Sequence, residues 1–373
     1  MTVTRDDTLE NEIIALLASI APADQGAMDA ARARQDSLAK PPHSLGKLED
    51  ISVKLAGITG QVFNRMEKRR VIIFASDNGI AHEGVASAPQ SVTLAQTINF
   101  TRGLTGVAVL ATHFHTELDV VDVGIDADFI QPGVCDRKLA HGTKNFAREP
   151  AMTREECVKA VMVGVERAAL AKQQGMDVVG IGEMGIGNTS TSSAVLSVLL
   201  DLPAADTVSR GAGINDEAYL RKVRLIDEAI ARYAPDPADP IDVIAKVGGF
   251  DIAAMCGAFL GAAAQRLPVV IDGFISAVAA LCAYRLCPTA AAYMFPSHAS
   301  REKGYMLAMD AMGLQPMLNL DMRLGEGSGC PIAFEIMSAA QSVIRNMATF
   351  GEAAINDDYL AEIRPNKRYQ GEA

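Results

Sequence analysis

The stretch Asp177-Val178-Val179-Gly180-Ile181-Gly182-Glu183-Met184-Gly185-Ile186-Gly187-Asn188-Thr189-Ser190 runs from an apolar, strand-like segment into a glycine-dense turn that carries a carboxylate. A glycine turn between a strand and a helix exposes backbone N–H groups at the helix N-terminus, where phosphate binds. The string also matches the spacing of a dinucleotide fingerprint: Gly180, Gly182 and Gly185 are followed, roughly twenty positions on, by the acidic Asp201. Glu183 argues against that reading. Its charge lies inside the glycine triplet, where it would face a pyrophosphate, and no basic residue follows before Arg210. One phosphate held on the amides fits better, with Glu183 facing ribose hydroxyls or a pyridinium. The plain alternative is a turn without a ligand, but it holds more glycines than one turn needs.

Further apolar runs recur on both sides of this stretch, each followed by a helix-like segment. They are Val71–Ala75, Leu118–Val123, Pro268–Ile271, Ala291–Phe295 and Pro316–Leu320. Continuous apolar strands separated by crossover-length helices predict a parallel sheet covered on both faces, hence an α/β fold. In such a sheet ligands bind beyond the carboxyl ends of the strands. Those ends read Asp77-Asn78-Gly79, Gly124-Ile125-Asp126, Gly182-Glu183-Met184-Gly185, Asp272-Gly273-Phe274, Pro296-Ser297-His298 and Arg323-Leu324-Gly325-Glu326-Gly327-Ser328-Gly329. One site is expected there. The chain ends differ from the middle: residues 7–36 and 331–350 carry apolar positions at helical spacing and predict a small helical subdomain drawn from both termini. The charged tail after Asp357 predicts a surface extension.

Composition narrows the function. The chain has 373 residues, nearly half of them apolar, and a formal charge of −11 without a lysine or arginine run. Nucleic acid and anionic membrane are therefore excluded as expected partners, and small-molecule chemistry is the default. The six cysteines form no C-x-x-C pair and read as reduced, mostly buried thiols of a cytoplasmic protein. His113 and His115 form an H-x-H without a third ligand nearby, so no metal site is assigned. His298, after a strand end, reads equally as a site residue or a hydrogen-bonded structural one. The sixteen methionines are most simply core filling, with Met184 and Met322 placed to lie against an aromatic ring.

With the strand ends laid out, the chain resembles the nicotinate-nucleotide:5,6-dimethylbenzimidazole phosphoribosyltransferase family, whose reaction activates the lower ligand of cobamides. The resemblance rests on eight segments in order: Lys40–Glu49, Asp77-Asn78-Gly79 with Glu83-Gly84-Val85, Pro89–Thr93, Gly182–Thr189, Lys246–Asp251, Asp272-Gly273-Phe274, Pro296-Ser297-His298 and Arg323–Gly329. It implies a Rossmann-like parallel sheet of about six strands, with 40–330 as the large nucleotide-binding domain and 1–39 with 331–373 as the small helical subdomain. It also implies transfer of a phosphoribosyl group from nicotinate mononucleotide to an aromatic base, without a cofactor or metal, in a homodimer. A hetero-oligomer with a paralogue is the alternative, together with a phenolic acceptor.

The same resemblance assigns roles. Glu326 lies where the family has its catalytic glutamate, and a general base is needed because one benzimidazole nitrogen attacks while the other sheds its proton. Gly185, Gly187, Asn188 and Thr189 would hold the 5′-phosphate, helped by Lys222. Glu183 and Asp272 would touch ribose or the cationic centre, and Ser300 the nucleotide. Gln90, Met184, Leu324 and the segment Ser87–Val92 would line the base pocket. Many members have His where this chain has Asn78, Gly where it has His43, and Glu or Lys near Ser91. These departures touch the base side and leave the phosphate side intact. The rival reading is a nicotinamide-dependent oxidoreductase, but its fingerprint should open the first βαβ unit of a domain, and this string follows two predicted strands. A partner-dependent, non-catalytic subunit is the rival outside enzymes, and retention of both Glu183 and Glu326 speaks against it.

Overall fold

Six parallel strands form the central sheet of the larger unit: β1 (Arg69–Ser76), β2 (Glu117–Gly124), β3 (Val134–Asp136), β4 (Val178–Met184), β5 (Val269–Ile271) and β6 (Met294–Pro296), in the order β3-β2-β1-β4-β5-β6. The computed structural model describes residues 5–211 and 213–360. Every residue of β1 and β4 is buried, which is why both read as continuous apolar runs rather than alternating ones. The strand order reverses between these two, and such a switch point opens a crevice above the sheet. Phe74 pairs with Glu183 and Ala75 with Met184, so Asp77-Asn78 and the glycine turn leave the sheet side by side.

The strands differ from the expected ones in three places, and of Ala291–Phe295 only Met294 and Phe295 are strand, because Ala291–Tyr293 close the 3-10 helix Pro288–Tyr293. Pro316–Leu320 makes only a single parallel bridge, His298 to Leu318. The Met317 and Leu318 N–H groups donate to the Pro296 and Ser297 carbonyls and the Leu318 carbonyl accepts from the Ala299 N–H, so the stretch pairs only with the residues at and just past the end of β6. The sixth strand is instead β3, three residues long and only half buried, too short to leave a periodic signal.

The helices of the larger unit press closely on one another. Arg154–Gln173 starts at a capping box, with the Thr153 hydroxyl and Glu156 carboxylate each serving the other's backbone N–H. It packs against Phe250–Ala264 through two glycines. A methyl at Gly164 would fall 1.8 Å from the Ala254 carbonyl oxygen, and one at Gly257 would fall 1.8 Å from that of Val161. Cys157, Cys256, Cys282 and Cys330 are buried free thiols, and Cys135 and Cys287 are partly exposed. Among the described residues no helix is long and apolar enough to cross a membrane.

The chain divides into two units, whose bounds differ from 40–330 and its flanks. The larger comprises Arg69–Ala333 with the N-terminal segment up to Ala21, and the smaller comprises Pro22–Lys68 with the segment from Phe334. The predicted single helix over 7–36 is two, Arg5–Ser19 and Gln25–Ser37. Pro22 interrupts the run, and Asp24 caps the second helix by accepting from the Ala27 N–H. The first helix packs on Phe250–Ala264 and Arg154–Gln173, and the Tyr293 hydroxyl donates to the Ala21 carbonyl. The second packs on Lys47–Thr59 in the smaller unit, around Ala31, Val53, Ala56 and Ile344. A buried ion pair, Lys40 to Glu49 at 2.7 Å, ties the loop before Lys47–Thr59 to that helix. The predicted helix over 331–350 is Cys330–Asn346. Past Asp357, Asp358–Leu360 form one 3-10 turn, and the rest of the expected extension lies outside the described residues.

Candidate active site

A cavity of about 300 Å³ opens in the larger unit beyond the carboxyl ends of the strands, within the size range of small-molecule pockets. Its walls come from the loop after β1, the glycine turn after β4, the segments after β5 and β6, and Arg323–Glu326. Of the residues expected in a site, Glu183, Met184, Gly185, Gly187, Asn188, Thr189, Lys222, Ser300, Leu324 and Glu326 all line it. Gln90 and Asp272 do not.

The glycine turn is held from below. The Ile186 N–H donates to Thr93 Oγ1 at 3.1 Å, and the Asn188 N–H donates to the Gly185 carbonyl at 3.0 Å. Gly187, at φ 98°, is the residue that precedes the helix Asn188–Leu200, a conformation that favours glycine. Gly185 is needed for space, because a methyl there would lie 2.4 Å from the Ser76 carbonyl oxygen. Lys222 reaches the start of this helix from Asp216–Tyr233. It is almost wholly buried and donates to Thr189 Oγ1 at 2.8 Å. Burial lowers its pKa to about 8, and Glu302 on the same wall opposes that shift.

Glu326 sits on a loop of three consecutive left-handed residues, Gly325 at φ 85°, Glu326 at φ 65° and Gly327 at φ 86°. Only the two glycines adopt this without strain, and Glu326 is held there by its surroundings. Its Oε1 accepts from Gln96 Nε2 at 3.0 Å and its Oε2 from the Val107 N–H at 3.2 Å. Burial raises its pKa and the two donors offset part of the rise. The loop lies on β4 itself: a methyl at Gly182 would stand 2.5 Å from the Glu326 carbonyl oxygen. Asp272 clamps the far side, accepting from Gly329 N–H at 2.7 Å and Gly327 N–H at 3.0 Å. Both its oxygens are thus occupied by the loop backbone, which accounts for its absence from the cavity wall.

Glu183 is buried at the end of β4, where its carboxylate accepts from the Glu326 N–H at 3.3 Å and from the Asn188 side-chain amide. Burial raises its pKa to about 8, and the carboxyls of Asp251 and Asp272 add to the rise. Asp272 is pushed up to about 7 by burial. His298 lines the cavity, lies 3.0 Å from Ser297 Oγ through Nδ1, and is lowered to about 4 by burial, so the imidazole is neutral at pH 7. Gln90 donates to the Asn78 carbonyl at 3.2 Å and so braces the loop after β1. Ser87 and Val92 line the wall beside it. Leu324 is an exposed apolar residue on the wall.

Two contributors escaped the sequence reading. Gln96, on the helix Ser91–Thr101, orients Glu326 across 230 residues of chain, and no local pattern signals such a pairing. Asp251 was visible only as part of the Gly248-Gly249-Phe250-Asp251 segment, and nothing in sequence places it beneath the glycine turn. His113 and His115 lie exposed at the end of a helix before β2. No group of three or more His, Cys, Asp or Glu side chains suited to a metal ion occurs among the described residues.

Known proteins resemble this chain over most of its length. The family described as "Phosphoribosyltransferase" matches residues 20–355. A nicotinate-nucleotide–dimethylbenzimidazole phosphoribosyltransferase of Clostridium perfringens is 53% identical over 91% of this chain and 94% of its own length. Its namesake in Clostridium tetani is 48% identical over 93% of this chain and 96% of its own length. The crystal structure of CobT from Thermus thermophilus superposes with a TM-score of 0.86 at 38% identity, covering 89% of this chain and 99% of that one. The chain belongs to the nicotinate-nucleotide–dimethylbenzimidazole phosphoribosyltransferase family.

Proposed function

We propose that this protein transfers the phosphoribosyl group of nicotinate mononucleotide to 5,6-dimethylbenzimidazole, releasing nicotinate and giving α-ribazole 5′-phosphate for cobamide synthesis. The observation that carries the reading is Glu326: a buried carboxylate on a cavity wall, fixed by two N–H donors and raised by burial toward the pH at which a base both ionises and accepts a proton. The Gly187 and Thr189 amides, the Thr189 hydroxyl and the Lys222 ammonium hold the 5′-phosphate at the helix start. Gly185 and Asn188 shape and fix that turn, and Ser300 contacts the nucleotide. Glu183 faces the ribose and the cationic centre, while Met184, Leu324 and Ser87–Val92 flank the flat base.

The reaction balances without a cofactor. One benzimidazole nitrogen forms a bond to C1′ from the face opposite nicotinate. The C1′–N bond to nicotinate breaks with its electron pair, which discharges the pyridinium and makes acid help unnecessary. The proton on the second benzimidazole nitrogen passes to Glu326. Asp272 serves this step indirectly, by holding the amides on either side of Ser328. We place the protein in the cytoplasm as a homodimer, in line with the family resemblance, and gel filtration of the purified chain measures the oligomer directly.

The test is an incubation with nicotinate mononucleotide and a mixture of dimethylbenzimidazole and p-cresol at equal concentration, with products identified by mass. The expected product is α-ribazole 5′-phosphate. Exclusive formation of the phenolic product replaces the acceptor, and absence of any transfer, with or without a paralogous subunit, removes the reading.

A further inference from the structure

His298, just past the end of β6, is a buried imidazole on the cavity wall that the transfer step does not use. Its backbone is fixed on both sides: the Leu318 N–H donates to the Ser297 carbonyl at 3.2 Å, and the Ala299 N–H donates to the Leu318 carbonyl at 2.8 Å. The Nδ1 edge of the ring faces inward. A methyl on Gly329 would lie 2.3 Å from His298 Nδ1, 2.7 Å from Ser297 Oγ and 2.8 Å from Asp272 Oδ1, so these three polar atoms share one space behind the loop that carries Glu326. Within it Nδ1 stands 3.0 Å from Ser297 Oγ and 4.0 Å from Asp272 Oδ1. Ser297 Oγ lies 3.1 Å from the Asp272 carbonyl oxygen, and Asp272 Oδ1 accepts from the Gly329 N–H at 2.7 Å.

Counting hydrogens in this cluster fixes the tautomer. A neutral imidazole carries one N–H, and its other ring nitrogen is an acceptor. The Ser297 hydroxyl has one hydrogen and two neighbours, the Asp272 carbonyl and Nδ1. A carbonyl only accepts, so the hydroxyl hydrogen goes there and Nδ1 must supply the hydrogen for its contact with Oγ. In the opposite tautomer one hydrogen would serve two buried contacts, and the other contact would be left as two facing lone pairs. It would also turn the Nδ1 lone pair toward Asp272 Oδ1. With Nδ1 protonated, Nε2 is bare, and burial, which lowers the ring to about 4, keeps a second proton off it at pH 7. A bare nitrogen on the cavity wall fits a hydrogen-bond donor. In nicotinate mononucleotide the carboxylate and phosphate are anions that a lone pair repels, whereas the ribose hydroxyls donate. Ser300, assigned to the nucleotide, is two residues further along the same wall, and the N–H of the incoming base is assigned to Glu326.

We propose that His298 is a ribose-binding residue: locked as the Nδ1–H tautomer by Ser297 and Asp272, it presents a bare Nε2 to the cavity, and a ribose hydroxyl of the donor hydrogen-bonds to it. The ribose contact rests on the proposed function, so the tautomer is tested first, in the ligand-free protein. With the six histidines ¹⁵N-labelled, long-range ¹H–¹⁵N NMR at pH 7 tells a protonated ring nitrogen from a bare one, and the His298 signals are those lost in His298→Phe. Expected are a protonated Nδ1 and a bare Nε2, and a bare Nδ1 overturns the proposal. A purely structural histidine would satisfy that result as well, so calorimetry then measures binding of nicotinate mononucleotide and of its 2′-deoxy and 3′-deoxy analogues. One analogue should bind the wild-type protein roughly 3–10-fold more weakly than the nucleotide, the worth of one hydrogen bond, and this loss should vanish in His298→Phe. If for neither analogue is the loss smaller in His298→Phe than in the wild type, the ribose contact is overturned. Should His298→Phe fail to fold, Ser297→Ala, which removes the acceptor of Nδ1–H, identifies the His298 signals by their shift, and the wild-type tautomer still decides. A protein that binds no nicotinate mononucleotide overturns the proposed function and the ribose contact together, a result distinct from a wrong tautomer.

Discussion

Glu326 and Lys222 are both buried ionisable residues on the cavity wall, and each carries a separate prediction. Glu326→Gln keeps shape and hydrogen-bonding reach but cannot accept a proton, so turnover should fall roughly 10²–10⁴-fold, the usual worth of a positioned base. The acid limb of the pH–rate profile should vanish with it, and single-turnover kinetics in both proteins checks that chemistry is being compared. At Lys222 the expectation is a binding effect: Lys222→Ala should raise the donor KM more than it lowers kcat, and nicotinate riboside, lacking the phosphate, should be a very poor donor. Equal use of riboside and nucleotide would move the phosphate site elsewhere. At this scale the sequence was informative where motif and chemistry coincide, as in the Gly325-Glu326-Gly327 loop. It was silent where a partner comes from far along the chain, as Gln96 does for Glu326. Asp272 shows the limit of motif reading. It stands at a strand end where ligands bind, yet both its oxygens are taken by the Gly327 and Gly329 amides.

The strand β4 and the loop at 325–327 form one device, because the loop backbone rests on the strand where a side chain would otherwise be. Gly182→Ala would force the Glu326 carbonyl away from a contact of 2.5 Å. The expected result is at least a tenfold loss of kcat in a protein whose circular dichroism is unchanged. The helix pair joined at Gly164 and Gly257 should respond in stability instead. Alanine at either site meets a backbone oxygen at 1.8 Å, and the overpacking should cost about 1–3 kcal/mol or more by denaturant titration, with donor KM little altered in the folded fraction. Four of the six expected runs lie in strands, β1, β4 and β5 buried throughout and β2 over its last five residues, the condition that writes itself into sequence as an uninterrupted apolar run; of Ala291–Phe295 only the last two residues are strand. The failures have the opposite cause. Pro316–Leu320 is apolar but pairs only with the end of β6, β3 is held by β2 rather than by its own pattern, and the break at Pro22 divides a stretch whose periodicity continues on either side.

Across the whole molecule, the buried acids set a slope of stability with pH. Glu183, Asp251 and Asp272 are raised to about 7–8, so between their unfolded values near 4 and those folded values the native chain binds more protons than the unfolded one. Their contribution is therefore fullest below pH 4 and is lost as pH rises through 7–8. His298, lowered to about 4, acts in the opposite sense between that value and its ordinary 6.5, where stability gains with rising pH. The thermal midpoint should thus decline most clearly between pH 6.5 and 8, and calorimetry of Asp272→Asn should show a shallower decline. The formal charge of −11 counts every carboxylate as ionised, and these three are not all so at neutral pH. On the proposed function, a donor that brings a pyridinium beside Glu183, raised to about 8 in the free protein, should displace protons into solution as it docks. The heat of that encounter should differ between phosphate and Tris buffers at pH 7, by an amount set by their ionisation enthalpies. Ligand capture by this protein would then be an acid-releasing event, measurable before any bond to the ribose has changed.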